Sequence, residues 1–123
     1  MIAILSGKPH FFPRSRLATP VDLRELGREC RYKSNLIAER LSISRRQLER
    51  DFEAALGISP KQWLAEQRML RAMQLLRTGM GLQETAYELG FKKYDNFRVE
   101  VKRYYGLTPC GLIESCRRKM ALA

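Results

Sequence analysis

The chain has 123 residues, 45% of them hydrophobic, which suffices for one ordinary domain or two small subdomains that fold unaided. Twenty-three Lys and Arg against 13 Asp and Glu leave a net charge of +10, and in a foldable domain that balance points to a polyanionic partner, nucleic acid first. The longest apolar run, the opening MIAIL, falls far short of the ~20 residues of a membrane span and of a leader's apolar core, so the chain reads as soluble and cytoplasmic.

Residues 1 to 18 contain Gly7, Pro9 and Pro13 and show no helical periodicity, so they are expected to form an irregular arm. Its Lys8, Arg14 and Arg16 are within reach of a DNA groove, but a frayed terminus is the simpler expectation. Helix starts are written at Thr19-Pro20, Ser59-Pro60 and Thr108-Pro109, each a hydroxyl cap followed by a proline at the first helical position. Downstream of the first start, Leu23, Leu26 and Cys30 form one stripe, as do Leu112, Cys116 and Met120 downstream of the last. Residues 60 to about 77 carry Leu64, Ala72, Leu75 and Leu76 and are closed by Gly79 and Gly81, which predicts a linking helix about 27 Å long.

An internal repeat organises the rest. Ala38, Leu41, Leu48, Phe52, Gly57 and Pro60 recur as Ala86, Leu89, Phe97, Val101, Gly106 and Pro109, with one extra residue in the second turn. Each copy predicts a helix with a small alanine, a tight turn at Ser42 or Gly90, and a second helix ended by glycine, which is a helix-turn-helix. The expected fold is therefore all-α, with about seven helices. An arm (1–18) precedes a first helix-turn-helix subdomain (19–59), a linking helix (60–78) and a second subdomain (79–123), each subdomain a homeodomain-like three-helix unit.

With Leu48 and Phe52 turned inward, Arg46 and Arg50 point outward and Glu49 flanks them. Two readings compete. In one, Arg45, Arg46 and Arg50 pair with Glu49 and Glu53 in a solvated charge lattice. In the other, this second helix of a helix-turn-helix lies in the major groove, where Arg pairs bidentately with guanine and Glu accepts from cytosine. In the second copy, burying Phe97 and Val101 turns Asp95, Val99 and Lys102 outward with Arg98 on the flank. Lys92, Lys93, Arg98, Lys102 and Arg103 suit phosphate contacts, as Arg45 does in the first copy, and Val99 either meets a thymine methyl or fills space.

Other chemistry is thin. His10 has no Cys, Asp or Glu in ligand spacing, and no phosphate loop or convergent titrating groups suggest an enzyme, a metal or another cofactor. The odd set Cys30, Cys110 and Cys116 contains no CxxC pair and reads as small core residues. Trp63 reads as packing, and of Tyr104 and Tyr105 one belongs in the core and the other at its rim.

The stretches LSISRRQLERDFEAALGISPKQWLAEQRMLRAMQLLRTG and ETAYELGFKKYDNFRVEVKRYYGLTP resemble the DNA-binding module of the AraC/XylS transcription regulators over residues 20 to 120. The resemblance implies seven helices and recognition helices aimed at neighbouring major-groove segments. Base-contacting positions then fall on Arg46, Glu49 and Arg50 in the first subdomain, and on Tyr94, Asp95 and Val99 in the second. The family commonly has small polar residues at Lys92 and Lys93, an arginine at Val99, and large apolar residues at Glu100 and Val101. These departures imply that specificity is concentrated on the first recognition helix while the second grips backbone. The resemblance implies either a small stand-alone member or a fragment of a larger regulator; the initial Met favours the former, bound as a monomer to double-stranded DNA and nucleoid-associated while bound, with RNA polymerase a further candidate partner. Two rival expectations are a low-specificity DNA-binding protein of nucleoid or mobile-element type and a protein-interaction adaptor.

Overall fold

The computed structural model describes residues 1–14 and 19–122, with side chains of the last helix described as far as Ser115. Arg16 and the side chains of Cys116 and Met120 lie outside the described residues. The chain divides into two compact units, Met1–Gln67 and Arg68–Ala123.

The first unit opens with three short strands, β1 (Ile2–Leu5), β2 (Lys8–Phe11) and β3 (Val21–Asp22), in the antiparallel order β1-β2-β3. The irregular arm expected from the sequence is thus corrected: residues 2–11 are a hairpin in which Ile2 faces Phe11 and Leu5 faces Lys8. Ser6 and Gly7 both take positive φ, 52° and 77°, the geometry of a two-residue turn whose twist matches that of the strands. Pro9 is tolerated because β3 pairs only with His10 and Phe11, so no ladder bond is needed from its nitrogen on that side. Buried Ile2 and Phe11 fix the sheet to the helical core, so the terminus is not frayed.

Thr19-Pro20 does not start a helix either. Val21 and Asp22 extend into the sheet, and Asp22 caps α1 (Leu23–Glu29) by accepting from the Arg24 amide at 3.0 Å. Leu23, Leu26 and Cys30 form the buried stripe as expected. The helix-turn-helix follows as α2 (Ser34–Arg40) and α3 (Arg45–Leu56), with Ala38, Leu48 and Phe52 buried. Ser42 occupies the turn at φ 56°, a left-handed conformation that costs a non-glycine residue about 1 kcal/mol. Gly57 closes α3 at φ 71°. Helix α4 (Pro60–Arg77) begins at its proline, with Ser59 Oγ accepting from the Gln62 amide at 3.1 Å, and runs through the boundary between the units. Trp63 packs on Phe52 with ring centroids 5.4 Å apart. α1 comes close to this segment because Gly27 lacks a Cβ, whose ideal position lies 3.3 Å from Leu64 Cδ2.

The second unit repeats the plan with α5 (Leu82–Glu88), α6 (Tyr94–Tyr105) and α7 (Pro109–Leu122). Ala86, Leu89, Phe97 and Val101 are buried, Gly90 takes the turn at φ 85°, and Gly106 closes α6 at φ 72°. In both copies the turn is tied back to the small alanine: the Ile43 amide donates to Ala38 O at 3.1 Å, and the Phe91 amide donates to Ala86 O at 3.1 Å. α7 starts at its proline, capped by Thr108 Oγ1 at 3.1 Å from the Gly111 amide. Cys110 is exposed on its first turn rather than buried, because stripe position Leu112 faces inward and Cys110 lies two residues away. Cys30 is buried as expected, and burial raises its thiol pKa.

Candidate nucleic-acid interface

Helix α3 exists to present one face. Ser44 Oγ accepts from the Gln47 amide at 3.1 Å, which satisfies its first turn without drawing on the arginines. Leu48 and Phe52 hold it against the core, leaving Arg45, Arg46, Glu49, Arg50 and Glu53 exposed. Among the described residues, ion pairs form at Met1–Asp51, Arg40–Glu29, Arg68–Glu100 and Arg98–Asp95, and none involves Arg45, Arg46 or Arg50. The expected charge lattice on α3 is therefore not formed. Three guanidiniums share one exposed helix face with no carboxylate partner among the described residues. A groove of about 240 Å³ runs beside this face, walled by Arg45 and Glu49 on one side and Ser59, Pro60 and Lys61 on the other.

The equivalent face of α6 differs. A groove of about 440 Å³ lies between Asp95, Arg98, Val99 and Lys102 and the Thr108-Pro109 start of α7. By the repeat, Asp95 stands where Arg46 does, Arg98 where Glu49 does and Val99 where Arg50 does. Arg98 thus occupies the flank of α6, as Glu49 occupies that of α3. Asp95 and Arg98 are exposed and lie 3.6 Å apart, so each partly neutralises the other. Val99 is 58% exposed, a large apolar side chain with no core role. Tyr94 is half-buried with its ring 5.9 Å from that of Phe97, and burial raises its hydroxyl pKa. Lys92, Lys93, Lys102 and Arg103 are all exposed around this helix. Lys93 occupies the N-cap position of α6 without a side-chain cap, in contrast to Ser44.

One structural element of this unit was not anticipated. Glu100, which faces α4, receives Arg68 in a fork: Nε donates to Oε1 at 3.1 Å, and Nη2 donates to Oε1 and Oε2 at 2.9 and 2.8 Å. The Arg68 guanidinium also lies 4.3 Å from the Phe91 ring centroid, and the Tyr105 hydroxyl donates to Met69 O at 2.9 Å. These contacts clamp α6 to the C-terminal half of α4 and set how its outer face is presented. The Arg68 and Glu100 side chains are 22% and 20% exposed, so the pair is weaker than a fully buried one. Arg68→Ala is expected to lower stability by about 1 to 3 kcal/mol through the uncompensated carboxylate. Arg68→Lys should recover only part of that loss, because an ammonium cannot reproduce the fork. Urea midpoints for the two variants check this.

Comparison with known proteins follows the same outline. A helix-turn-helix domain family model matches residues 37–114, a span that contains both copies of the motif. The crystal structure of an AraC-type DNA-binding-domain regulator from Chromobacterium violaceum superposes with a TM-score of 0.64 at 28% identity, covering 75% of this chain and 86% of that one. This chain belongs to the AraC/XylS family. The DNA-binding domain of AdpA, a global transcriptional factor solved in complex with a target DNA, matches with a TM-score of 0.69 at 28% identity, covering 80% of this chain and 93% of that one. In sequence, the HTH-type transcriptional regulator GbdR of Pseudomonas aeruginosa is 35% identical over 96 residues, which are 77% of this chain and 23% of that protein. The virulence regulon transcriptional activator VirF of Yersinia enterocolitica is 41% identical over 59 residues, 47% of this chain and 22% of that protein. The AraC/XylS chain described here thus spans about a quarter of the length of these relatives. The family is one of regulators rather than of enzymes. Among the described residues, no helix is long and apolar enough to cross a membrane.

Proposed function

We propose that this AraC/XylS module is a sequence-specific, double-stranded-DNA-binding transcription regulator that inserts α3 and α6 into neighbouring major-groove segments. It binds as a monomer, works in the cytoplasm and carries no catalytic activity. The observation that supports it most is the exposed face of α3, where Arg46 and Arg50 are held out by a capped, well-packed helix without an acidic partner among the described residues. Like charges four residues apart are mildly unfavourable in a lone helix, so a face that keeps them unpaired suits an anionic, bidentate acceptor. The net charge of +10 supplies the long-range attraction.

In this reading Arg46, Glu49 and Arg50 read base edges, and Arg45 contacts phosphate. Tyr94, Asp95 and Val99 are the corresponding base contacts of α6, and Lys92, Lys93, Arg98, Lys102 and Arg103 hold the backbone. The mutual pairing of Asp95 and Arg98 favours a second helix that mainly grips. RNA polymerase is the partner in activation.

Selection of bound duplexes from a random library, followed by titration of the winner and of a scrambled duplex, tests the proposal. A regulator should prefer its site by ~10³ or more at physiological salt. Base changes under α3 should cost more than those under α6, where contacts are shared with phosphate. Binding without any enriched motif would instead favour a low-specificity DNA-coating protein, and absence of salt-dependent DNA binding would favour a protein-interaction adaptor.

A further inference from the structure

The end of the hairpin lies beside the recognition helix. Strand β2 stops at Phe11, and the residues that follow it, Phe12, Pro13 and Arg14, wall a cavity of about 410 Å³ together with Ser42 and Ile43 of the helix-turn-helix turn and Ser44 and Gln47 at the start of α3. Buried Ile2 and Phe11 hold the sheet on the helical core, and the Phe12 amide donates to Met1 O at 2.7 Å, so this end of the hairpin has a fixed place. Arg14 therefore stands at the end of α3 that carries Arg46.

The first residues of a recognition helix are the ones that meet base edges, and a sugar–phosphate strand runs along either side of a major groove about 12 Å wide. At about 100° per residue, Gln47 and Asp51 lie on one flank of the Arg46–Arg50 face, and Arg45 and Glu49 lie on the other. The second flank has a cation beside it, since exposed Lys61 at the start of α4 shares a groove with Arg45 and Glu49. Arg14 supplies one beside the first. It is exposed, and none of the ion pairs among the described residues engages it. Lys8 is exposed too, but it faces Leu5 at the opposite end of the hairpin, next to the Ser6-Gly7 turn.

We propose that the end of the hairpin is part of the DNA interface, with the Arg14 guanidinium donating to a phosphate that flanks the base pairs read by Arg46. A phosphate carries no sequence information, so this contact adds affinity and fixes the register of α3 without choosing bases. The inference rests on the DNA reading above.

Arg14→Ala, Arg14→Lys and Lys8→Ala, each in the full chain, are titrated with the selected and scrambled duplexes at about 50 and 200 mM salt, beside the unmodified chain. One phosphate contact contributes about 0.9 to the slope of log affinity against log salt, so over this range the advantage of the unmodified chain over Arg14→Ala should shrink about 3.5-fold on both duplexes. Lys8→Ala removes the same charge from the other end of the hairpin and should leave the slope as it was. Arg14→Lys should restore it, because an ammonium also holds a phosphate, and that recovery separates a lost contact from a lost fold. An unchanged slope for Arg14→Ala, an equal drop for Lys8→Ala, no recovery in Arg14→Lys, or a loss confined to the selected duplex overturns the proposal. Should the library enrich no motif, any duplex still reports the slope and decides. An unmodified chain without salt-dependent binding would instead overturn the DNA reading, and this inference with it, before any variant is compared.

Discussion

Arg46→Ala and Arg50→Ala are each expected to weaken binding to the selected duplex by about 1 to 3 kcal/mol, the worth of one bidentate arginine contact to a base. Binding to a scrambled duplex should change much less, because phosphate contacts elsewhere on a chain of net charge +10 remain. The distinction matters more than the loss itself. A side chain that only touched phosphate would lower affinity for both duplexes alike and reduce the salt dependence by about one unit of slope. Both arginines are exposed on a helix whose cap and core contacts do not involve them, so the variants should fold normally. Titrations of both duplexes at two salt concentrations separate the outcomes. Equal losses on the two duplexes would make these arginines backbone clamps and would move specificity elsewhere.

Phe52→Ala should be the most damaging substitution in the first unit. Its side chain is 0% exposed, its ring packs 5.4 Å from that of Trp63, and it shares the core with Leu48 on the same helix. Truncation of a buried phenylalanine costs about 3 to 5 kcal/mol, through lost transfer free energy plus the cavity left behind. That is a large fraction of the 5 to 15 kcal/mol available to a typical domain. Urea unfolding should show the midpoint falling with little change in slope, and DNA binding should fall with it as α3 loses its seat. A loss below about 1 kcal/mol would mean that the core closes around the gap, contrary to the packing of Phe52 between α3 and α4.

Most of the helical plan was legible in the sequence because its signals are local. Ser59-Pro60 and Thr108-Pro109 each start a helix, with the hydroxyl capping it, since cap chemistry involves only three or four consecutive residues. The repeat of Ala38 and Phe52 as Ala86 and Val101 identified two copies of one motif, all four residues being buried. Thr19-Pro20 failed for the complementary reason: the next residues find strand partners in the hairpin, and Asp22 takes over as the cap. The hairpin itself was missed because its evidence is a two-residue turn, Ser6-Gly7, between short β-prone runs, and only Ile2 and Phe11 meeting the helical core give it a reason to form.

The sequence by itself determined the motif, its duplication, the burial of the inward residues and the outward position of Arg46 and Arg50. Periodicity along a helix specifies which side chains share a face, whatever that face meets. Tertiary structure decided which charges stay free. Arg68 and Glu100 are 32 residues apart and pair only because α4 and α6 meet, whereas Arg45, Arg46 and Arg50 stand beside glutamates in sequence and pair with none among the described residues. It also decided that Asp51 would be half-buried and ion-paired with the Met1 amine, since that depends on a hairpin about forty residues away folding back onto α3. Charge neutralisation is a matter of distance in space, and spacing along the chain constrains that distance only within a few turns of the same helix.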